Sequence, residues 1–311
     1  MPEGDTIHRA ARTLHTALGG QRIERFESVL AHLTRVDADA PIAGRLVERV
    51  EARGKHLLMW LSACRPPGGP AIQHCSSEAE PRGLSVQGGA SLVLRTHMRM
   101  HGSWHIYRPG ERWQRPHRDM RIVIETPAMH AIAFTVPVAE FVTSRELANH
   151  DVVAELGPDP LSDTFNAEQA IERIQAHGDI EIADALLDQR LIAGIGNVFK
   201  SEVLFGARVN PFAHVSQLTR EQLAAIVAVA TRFMRANVVS GFSRTGGETS
   251  IAGGVVTYAG MRRTTGRADP SARLWVYGRS GQPCRRCGTA ISRKKQGPFA
   301  RSTYWCAHCQ T

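Results

Sequence analysis

Two cysteine pairs carry the clearest chemistry in the sequence: Cys284-x2-Cys287 and Cys306-x2-Cys309, with 18 residues between them. Four thiolates on two tight turns can meet one tetrahedral Zn²⁺ at about 2.3 Å, and so short a segment builds no core without such a staple. A set of four thiolates leaves no open position, so one structural zinc ion is expected, with His308 a spectator between ligands. Two disulfides would instead need an oxidising compartment. The N-terminus, MPEGDTIHRA, carries two acids and no apolar run, unlike a signal or transit peptide. A cytoplasmic protein is expected. Nor does a redox motif usually come as a matched pair. Cys64 and Cys75, flanking a Pro-, Gly- and Ser-rich surface insertion at 65–89, read as unpaired thiols.

The metal module is also the most basic part of the chain. Between Arg262 and Arg301 stand 11 basic residues and one acid, Asp269, whereas the rest of the chain carries 27 basic and 28 acidic residues. The whole excess of the net +9 therefore sits in one segment, and Arg293, Lys294, Lys295 and Arg301 lie between the two cysteine pairs. A zinc-pinned hairpin holding a guanidinium against a phosphate points to nucleic acid. No stretch approaches the roughly 18 apolar residues of a membrane span.

At the other end, removal of the initiator Met would leave Pro2 with a free secondary amine. An α-amino group has a pKa of about 7.7 to 8.0, against roughly 10.4 for lysine, so much of it is an unprotonated nucleophile at neutral pH. Attack on a sugar C1′ by a secondary amine gives an iminium directly. That cation withdraws electrons from C2′, acidifies its proton and opens a route to strand scission by elimination. Glu3 is the adjacent carboxyl able to donate and accept the protons.

These groups need elements to hold them. Ile7, Ala11, Leu14 and Leu18 place a helix over residues 3–19, stopped by Gly19-Gly20. Short strand-like runs follow at 23–29, 46–50, 56–61, 91–96, 120–125 and 131–136, the spacing of a β-sandwich or barrel. After Gly157-Pro158-Asp159-Pro160 the periodicity turns helical, at 166–177, 180–190, 197–205 and 219–239, the last with Thr219 and Gln222 in capping-box positions. The expected fold is a multidomain α+β chain. It divides into an N-terminal domain at 2–145, an all-α domain at 150–240, a flexible lid or linker at 241–273 and the cysteine module at 274–311.

The motifs PEGDTIHRAA, RGKHLL, THMRMHGSW, LGPDPLS, LIAGIGNVFKSEVLF and VYGRSGQPCRRCG to RSTYWCAHCQ, in this order from residue 2 to residue 310, together resemble the formamidopyrimidine-DNA glycosylase and endonuclease VIII family. The resemblance implies an N-terminal β-sandwich, a helix-two-turns-helix domain and a zinc finger, with damaged DNA, double-stranded or locally single-stranded, held between the halves. It implies a bifunctional DNA glycosylase and AP lyase of base excision repair, working by β,δ-elimination and as a monomer. By position, Pro2 matches the family's nucleophile, Glu3 its general acid and base, and Lys55 its phosphate-contacting, proton-transferring lysine. Asn197 and Arg301 match the residues that grip phosphates around the lesion. The sequence GIGN before a helix agrees physically, since a helix N-terminus approached closely by backbone is an anion site. Arg99, Met100 and His101 match the loop that fills the gap left by an extruded base; the competing reading packs Met100 into the sandwich. The chain departs from the family at Asp5-Thr6, where members often carry Pro-Glu.

The oxidised-purine branch usually adds two wedges from an Asp-Pro-Arg-Arg-Phe-Gly motif, where this chain reads FTVPVAEF. That favours the endonuclease VIII branch and oxidised pyrimidines over 8-oxoguanine and formamidopyrimidine. A non-catalytic zinc-finger DNA-binding protein would need the basic residues but not an N-terminal Pro-Glu. A metal-dependent nuclease would need an acidic cluster of metal-binding spacing, which the sequence lacks.

Overall fold

In a computed structural model, residues 2–63, 91–239, 255–256, 262–267 and 269–311 are described. Cys64, Cys75 and the 65–89 insertion lie outside them, as does Met1. The chain opens on helix α1 (Gly4–Leu18), followed by β1 (Arg25–Ser28), α2 (Ala31–Asp39), β2 (Val47–Arg53), β3 (His56–Leu61), β4 (Leu92–His97), β5 (Ser103–Tyr107), β6 (Met120–Glu125), β7 (His130–Phe134) and β8 (Val138–Thr143). The strands form two antiparallel sheets, β2-β3-β4-β8 and β1-β6-β7-β5, the second extended at β5 by the short β9 (Val255–Val256). Alternation in β3 shows how the sandwich closes. Leu57, Met59 and Leu61 face the core shared with α1 and with Trp104, Ile106 and Ile122 of the opposite sheet. Leu58 and Trp60 face outward, beneath Leu147, Val153 and Leu156.

Beyond the sandwich lie α3 (Ser144–Ala148), α4 (Asp151–Ala154), α5 (Ala167–Gln175), α6 (Ile182–Ala185), α7 (Asn197–Ala207) and α8 (Arg220–Val239). Thr219 and Gln222 form the reciprocal cap expected of α8. Ile171, Ile174, Leu186, Phe199, Val203, Ile226 and Met234 join α5 to α8 in a second core. The module at the C-terminus is the hairpin β10 (Ser292–Gln296) and β11 (Arg301–Trp305). Its small core of Val276, Ile291, Cys284 and Cys306 includes Phe205 from α7.

Helix α7 is buried over most of its length, so its polar residues must find partners inside the protein. Lys200 donates to Thr303 Oγ1 at 2.8 Å, and Ser201 Oγ accepts from Tyr304 N at 3.3 Å. The Glu202 carboxylate accepts from the backbone of Trp275, Val276 and Tyr277, each at 2.8 Å, and from Thr264. Burial raises the Glu202 pKa, opposed by these same bonds. This helix therefore fixes the zinc module to the all-α half.

The structure departs from expectation in two places. The helix anticipated at 180–190 shortens to α6 because polar side chains capture the backbone beyond it. Asp188 accepts from Arg190 N, and the Gln189 amide bonds Leu187 O, Ile195 O and Gly194 N. Helix α2 and strands β5 and β8 were not foreseen; β5 is buried on both faces and so shows no alternation. Most of the lid or linker expected at 241–273 lies outside the described residues, and the parts that are described have polar partners. Arg263 bonds Asn237 through both its N–H and its carbonyl, Thr264 bonds Glu202, and β9 extends a sheet. Weak periodicity there concealed polar attachment.

Candidate active site

The N-terminus of α7 organises the site. Its cap, Gly196, is extended, and the first free N–H groups of the helix, of Val198 and Phe199, donate to Glu3 Oε1 and Oε2 at 2.8 and 3.2 Å. The carboxylate thus occupies the anion position of a helix N-terminus. Only glycine allows this approach. A Cβ on Gly196 would lie 2.5 Å from the Glu3 side chain, and one on Gly4, which donates to Gly194 O at 2.8 Å, would lie 2.8 Å from Gly194 Cα. Gly196→Ala is therefore expected to destabilise the fold by about 1–3 kcal/mol through overpacking and to slow catalysis by about 100-fold through displaced carboxylate geometry. Thermal unfolding and single-turnover kinetics check the two effects; unchanged kinetics would mean that Glu3 need not sit there.

Pro2 and Glu3 open onto a cleft of about 940 Å³ between the two halves of the protein. Lys55, Arg99, Met100, Asn197 and Arg301 line it as well. Seven of the eight non-cysteine residues singled out from the sequence thus converge on one cavity. His101 does not: it is exposed on the turn between β4 and β5 and does not line the cleft. Met100 is 53% exposed on that turn rather than packed into the sandwich, with Arg99 beside it in the left-handed region at φ 50°.

Lys55 follows the β2–β3 turn at Gly54, whose N–H donates to Asp159 Oδ2 at 2.9 Å. Far from an ordinary surface lysine, it is half-buried, and burial lowers its pKa to about 8, helped by Arg301 and Arg262 and opposed by Glu3. Asn197 is buried and donates through Nδ2 to Ser302 O at 3.0 Å, tying the start of α7 to the strand that begins with Arg301. Arg301 itself is exposed, at the edge of the hairpin turn.

The sequence did not disclose three contributors. Arg262 is 11% exposed in its side chain and donates to Asp5 through Nε at 3.1 Å and Nη2 at 2.7 Å, with Nη1 4.0 Å from Glu3 Oε1. Phe299, on the turn between β10 and β11, is 80% exposed and lines the cleft. An acidic rim, Asp179, Glu181, Asp184 and Asp188, borders the same cavity. Gln296 bonds Glu181 at 2.7 Å, and burial raises the Asp184 pKa. An exposed aromatic beside Arg301 was the one available signal; the Arg262 pairing spans 257 residues and left none.

The Sγ atoms of Cys284, Cys287, Cys306 and Cys309 all lie within 4.8 Å of one another, with Cys284–Cys309 at 4.0 Å and Cys287–Cys306 at 3.5 Å. A Zn–S tetrahedron with bonds of about 2.3 Å has edges near 3.8 Å, so the four thiols fit one zinc ion. They form the one such cluster among the described residues, and His308 is exposed outside it.

This combination of β-sandwich, glycine-capped helix and zinc hairpin around one cleft defines a DNA-repair glycosylase fold. Sequence profiles match three parts of the chain: the formamidopyrimidine-DNA glycosylase N-terminal domain at residues 1–137, the formamidopyrimidine-DNA glycosylase H2TH domain at 156–247, and the zinc finger found in FPG and IleRS at 281–311. A probable endonuclease 8 2 of Streptomyces coelicolor is 34% identical over all of this chain and 94% of its own length. The DNA-(apurinic or apyrimidinic site) lyase Nei2 of Mycolicibacterium smegmatis is 33% identical over all of this chain and 99% of its own. In fold, the chain matches Lactococcus lactis Fpg in complex with abasic-site DNA at a TM-score of 0.73, with 20% identity and 99% of each chain covered. The chain belongs to the formamidopyrimidine-DNA glycosylase and endonuclease VIII family of DNA glycosylases with AP lyase activity.

Proposed function

We propose that this enzyme excises oxidised pyrimidines from DNA, with Pro2 as the nucleophile, Glu3 as the proton carrier and Lys55, Asn197 and Arg301 holding the phosphates around the lesion. The observation that carries this reading is the seating of Glu3 on the α7 N-terminus, beside Pro2 and open to the cleft that Lys55 and Arg301 line. The Pro2 nitrogen attacks C1′ as the damaged base departs with its bonding pair and takes a proton. Glu3 passes the proton shed by the attacking amine to O4′ as the C1′–O4′ bond breaks, which leaves an iminium at C1′; it then removes a C2′ proton, and the C3′–O bond breaks to release the 3′ phosphate by β-elimination. A second elimination releases the 5′ phosphate. Zinc, held by the four cysteines, supplies no chemistry here; it fixes the hairpin that presents Arg301.

The division into a catalytic domain at 2–145, a DNA-binding domain at 150–240, a connection at 241–273 and a zinc finger at 274–311 belongs to this reading. So does action as a monomer in the cytoplasm, where the nucleoid offers the substrate. No helix among the described residues is long and apolar enough to cross a membrane.

Pyrimidine preference is supported by the FTVPVAEF stretch. None of residues 134–141 lines the cleft; instead Phe141 packs on Phe26, and Glu140 pairs with Arg95 and His150. This stretch therefore brings no wedge to the cleft as the described residues line it. A ring-saturated pyrimidine such as thymine glycol has already lost planarity and stacking, so its extrusion needs less help. Single-turnover excision on matched duplexes is expected to be faster for thymine glycol and 5-hydroxyuracil than for 8-oxoguanine opposite cytosine. Faster removal of 8-oxoguanine would move the enzyme to the purine branch. Borohydride reduction during turnover is expected to leave the chain covalently bound to DNA, an outcome closed to a protein that only binds.

The wedge falls to Met100. Two of the four exposed large apolar side chains among the described residues, Met100 and Phe299, line the cleft. Met100→Ala should slow excision of a lesion base by roughly 10-fold or more, because extrusion costs a few kcal/mol, but should spare cleavage at a preformed abasic site. Equal slowing on both substrates would show that Met100 does not act in extrusion.

A further inference from the structure

We propose that Arg262 is a positioning residue for the reaction: paired to Asp5, it holds the Glu3 carboxylate in its working place. The proposal rests on the reading of Pro2 and Glu3 given above.

The geometry is specific. Arg262 reaches Asp5 with two donors of its planar fork, at 2.7 and 3.1 Å, and Thr6 Oγ1 at 3.3 Å with the same Nη2. Nη1 lies 4.0 Å from Glu3 Oε1. Below the guanidinium lies the Phe199 ring, 4.8 Å from Cζ to centroid, and the Phe199 N–H is one of the two donors to Glu3. One side chain thus touches or neighbours all three acidic and hydroxyl groups at residues 3, 5 and 6, and the helix that seats the first of them.

Electrostatics points the same way. Glu3 and Asp5 are both fully buried, two residues apart. Asp5 also faces Arg9 at 3.9 Å, whereas Glu3 has Arg262, the α7 N-terminus and the nearby Lys55. Two buried carboxylates at such spacing repel and are costly to keep ionised without paired cations. Burial opposes the charge of Arg262, but Glu3 and Asp5 outweigh it and raise its pKa. A fork shared between two acids fixes their separation as well as balancing their charge. Lysine in its place would balance the charge through a single point and one geometry.

Arg262→Met, Arg262→Lys and Asp5→Asn test the proposal on the full chain, with zinc content and melting temperature measured alongside. For Arg262→Met, the single-turnover excision rate at saturating enzyme is expected to fall by about 100-fold, while affinity for abasic-site DNA stays within about threefold of the parent. Arg262→Lys should recover part of the rate, and Asp5→Asn combined with Arg262→Met should be no slower than Arg262→Met alone. A folded Arg262→Met enzyme with the parent excision rate overturns the proposal. Should Arg262→Met fail to fold, the Lys and Asn variants decide: parental rates in both overturn it, and a lowered rate with retained abasic-DNA affinity sustains it. Parent enzyme that forms no borohydride adduct would instead overturn the Pro2–Glu3 reading beneath it.

Discussion

Enzyme carrying any residue on the Pro2 nitrogen, whether a retained Met1 or a tag, is expected to yield no borohydride-trapped product with abasic DNA. Pro2→Gly, which keeps a free but primary amine, should lower trapping without abolishing it. The physical reason is electronic. A nitrogen in a peptide bond has committed its lone pair to the carbonyl and cannot attack C1′, so the loss should exceed about 1000-fold, as for removal of any covalent nucleophile. Binding of abasic DNA should stay within about threefold, because the phosphates are held by side chains that the block does not reach. Lys55 is the competing amine. It lines the same cleft, and burial brings its pKa down to about 8, so some of it is neutral at physiological pH. Undiminished trapping in blocked enzyme, lost on Lys55→Ala, would transfer the nucleophile to Lys55. Trapping that vanishes on blocking leaves Lys55 to the phosphate contact and proton transfer proposed for it.

What the sequence could disclose depended on the range of the interaction. The α1 and α8 helices were legible because their apolar period records one buried face, strands β3 and β6 because each is a short apolar run of strand length although both of its faces are covered, and the α8 cap is a local exchange between Thr219 and Gln222. The zinc ligands were legible because two knuckles carry their own geometry. Strand β5 was not, since Trp104, Ile106 and Tyr107 are buried along with Ser103 and His105, and a strand buried on both faces loses its period. Position-by-position likeness to a family located Lys55 and Asn197; neither stands out chemically until Gly54 and Gly196 are seen to bring backbone against another domain. Arg262 was invisible to both approaches. Its partner is near the N-terminus, and it stands in a Gly-, Thr- and Arg-rich stretch whose lack of period suggested free chain, although the attachment there is polar and directional. Asp5 looked like a loss from the family pattern. Its bidentate pairing shows a carboxylate one residue earlier, joined to a cation from elsewhere in the chain.

Separating zinc from the grip on DNA gives the second large effect. Cys306→Ser is expected to lose the bound metal and reduce affinity for abasic DNA by at least about 100-fold, since structural zinc contributes about 10 kcal/mol or more to modules of this kind. Cys306 is fully buried in the small core with Val276 and Ile291, so the hairpin loses both its staple and its packing. Arg301→Ala should do something different. Its side chain is exposed and lies outside the thiol cluster, so one zinc per chain should remain. Affinity should fall, and the slope of log K against log salt should flatten by about one unit, the signature of one lost phosphate contact. Metal analysis beside a salt titration distinguishes the cases. Zinc lost from Arg301→Ala would mean that this arginine supports the hairpin rather than the DNA. An unchanged salt slope with zinc retained would remove it from the phosphate grip, leaving that role to Lys55 and to the Asn197 amide, which is tied through Ser302 to the same strand.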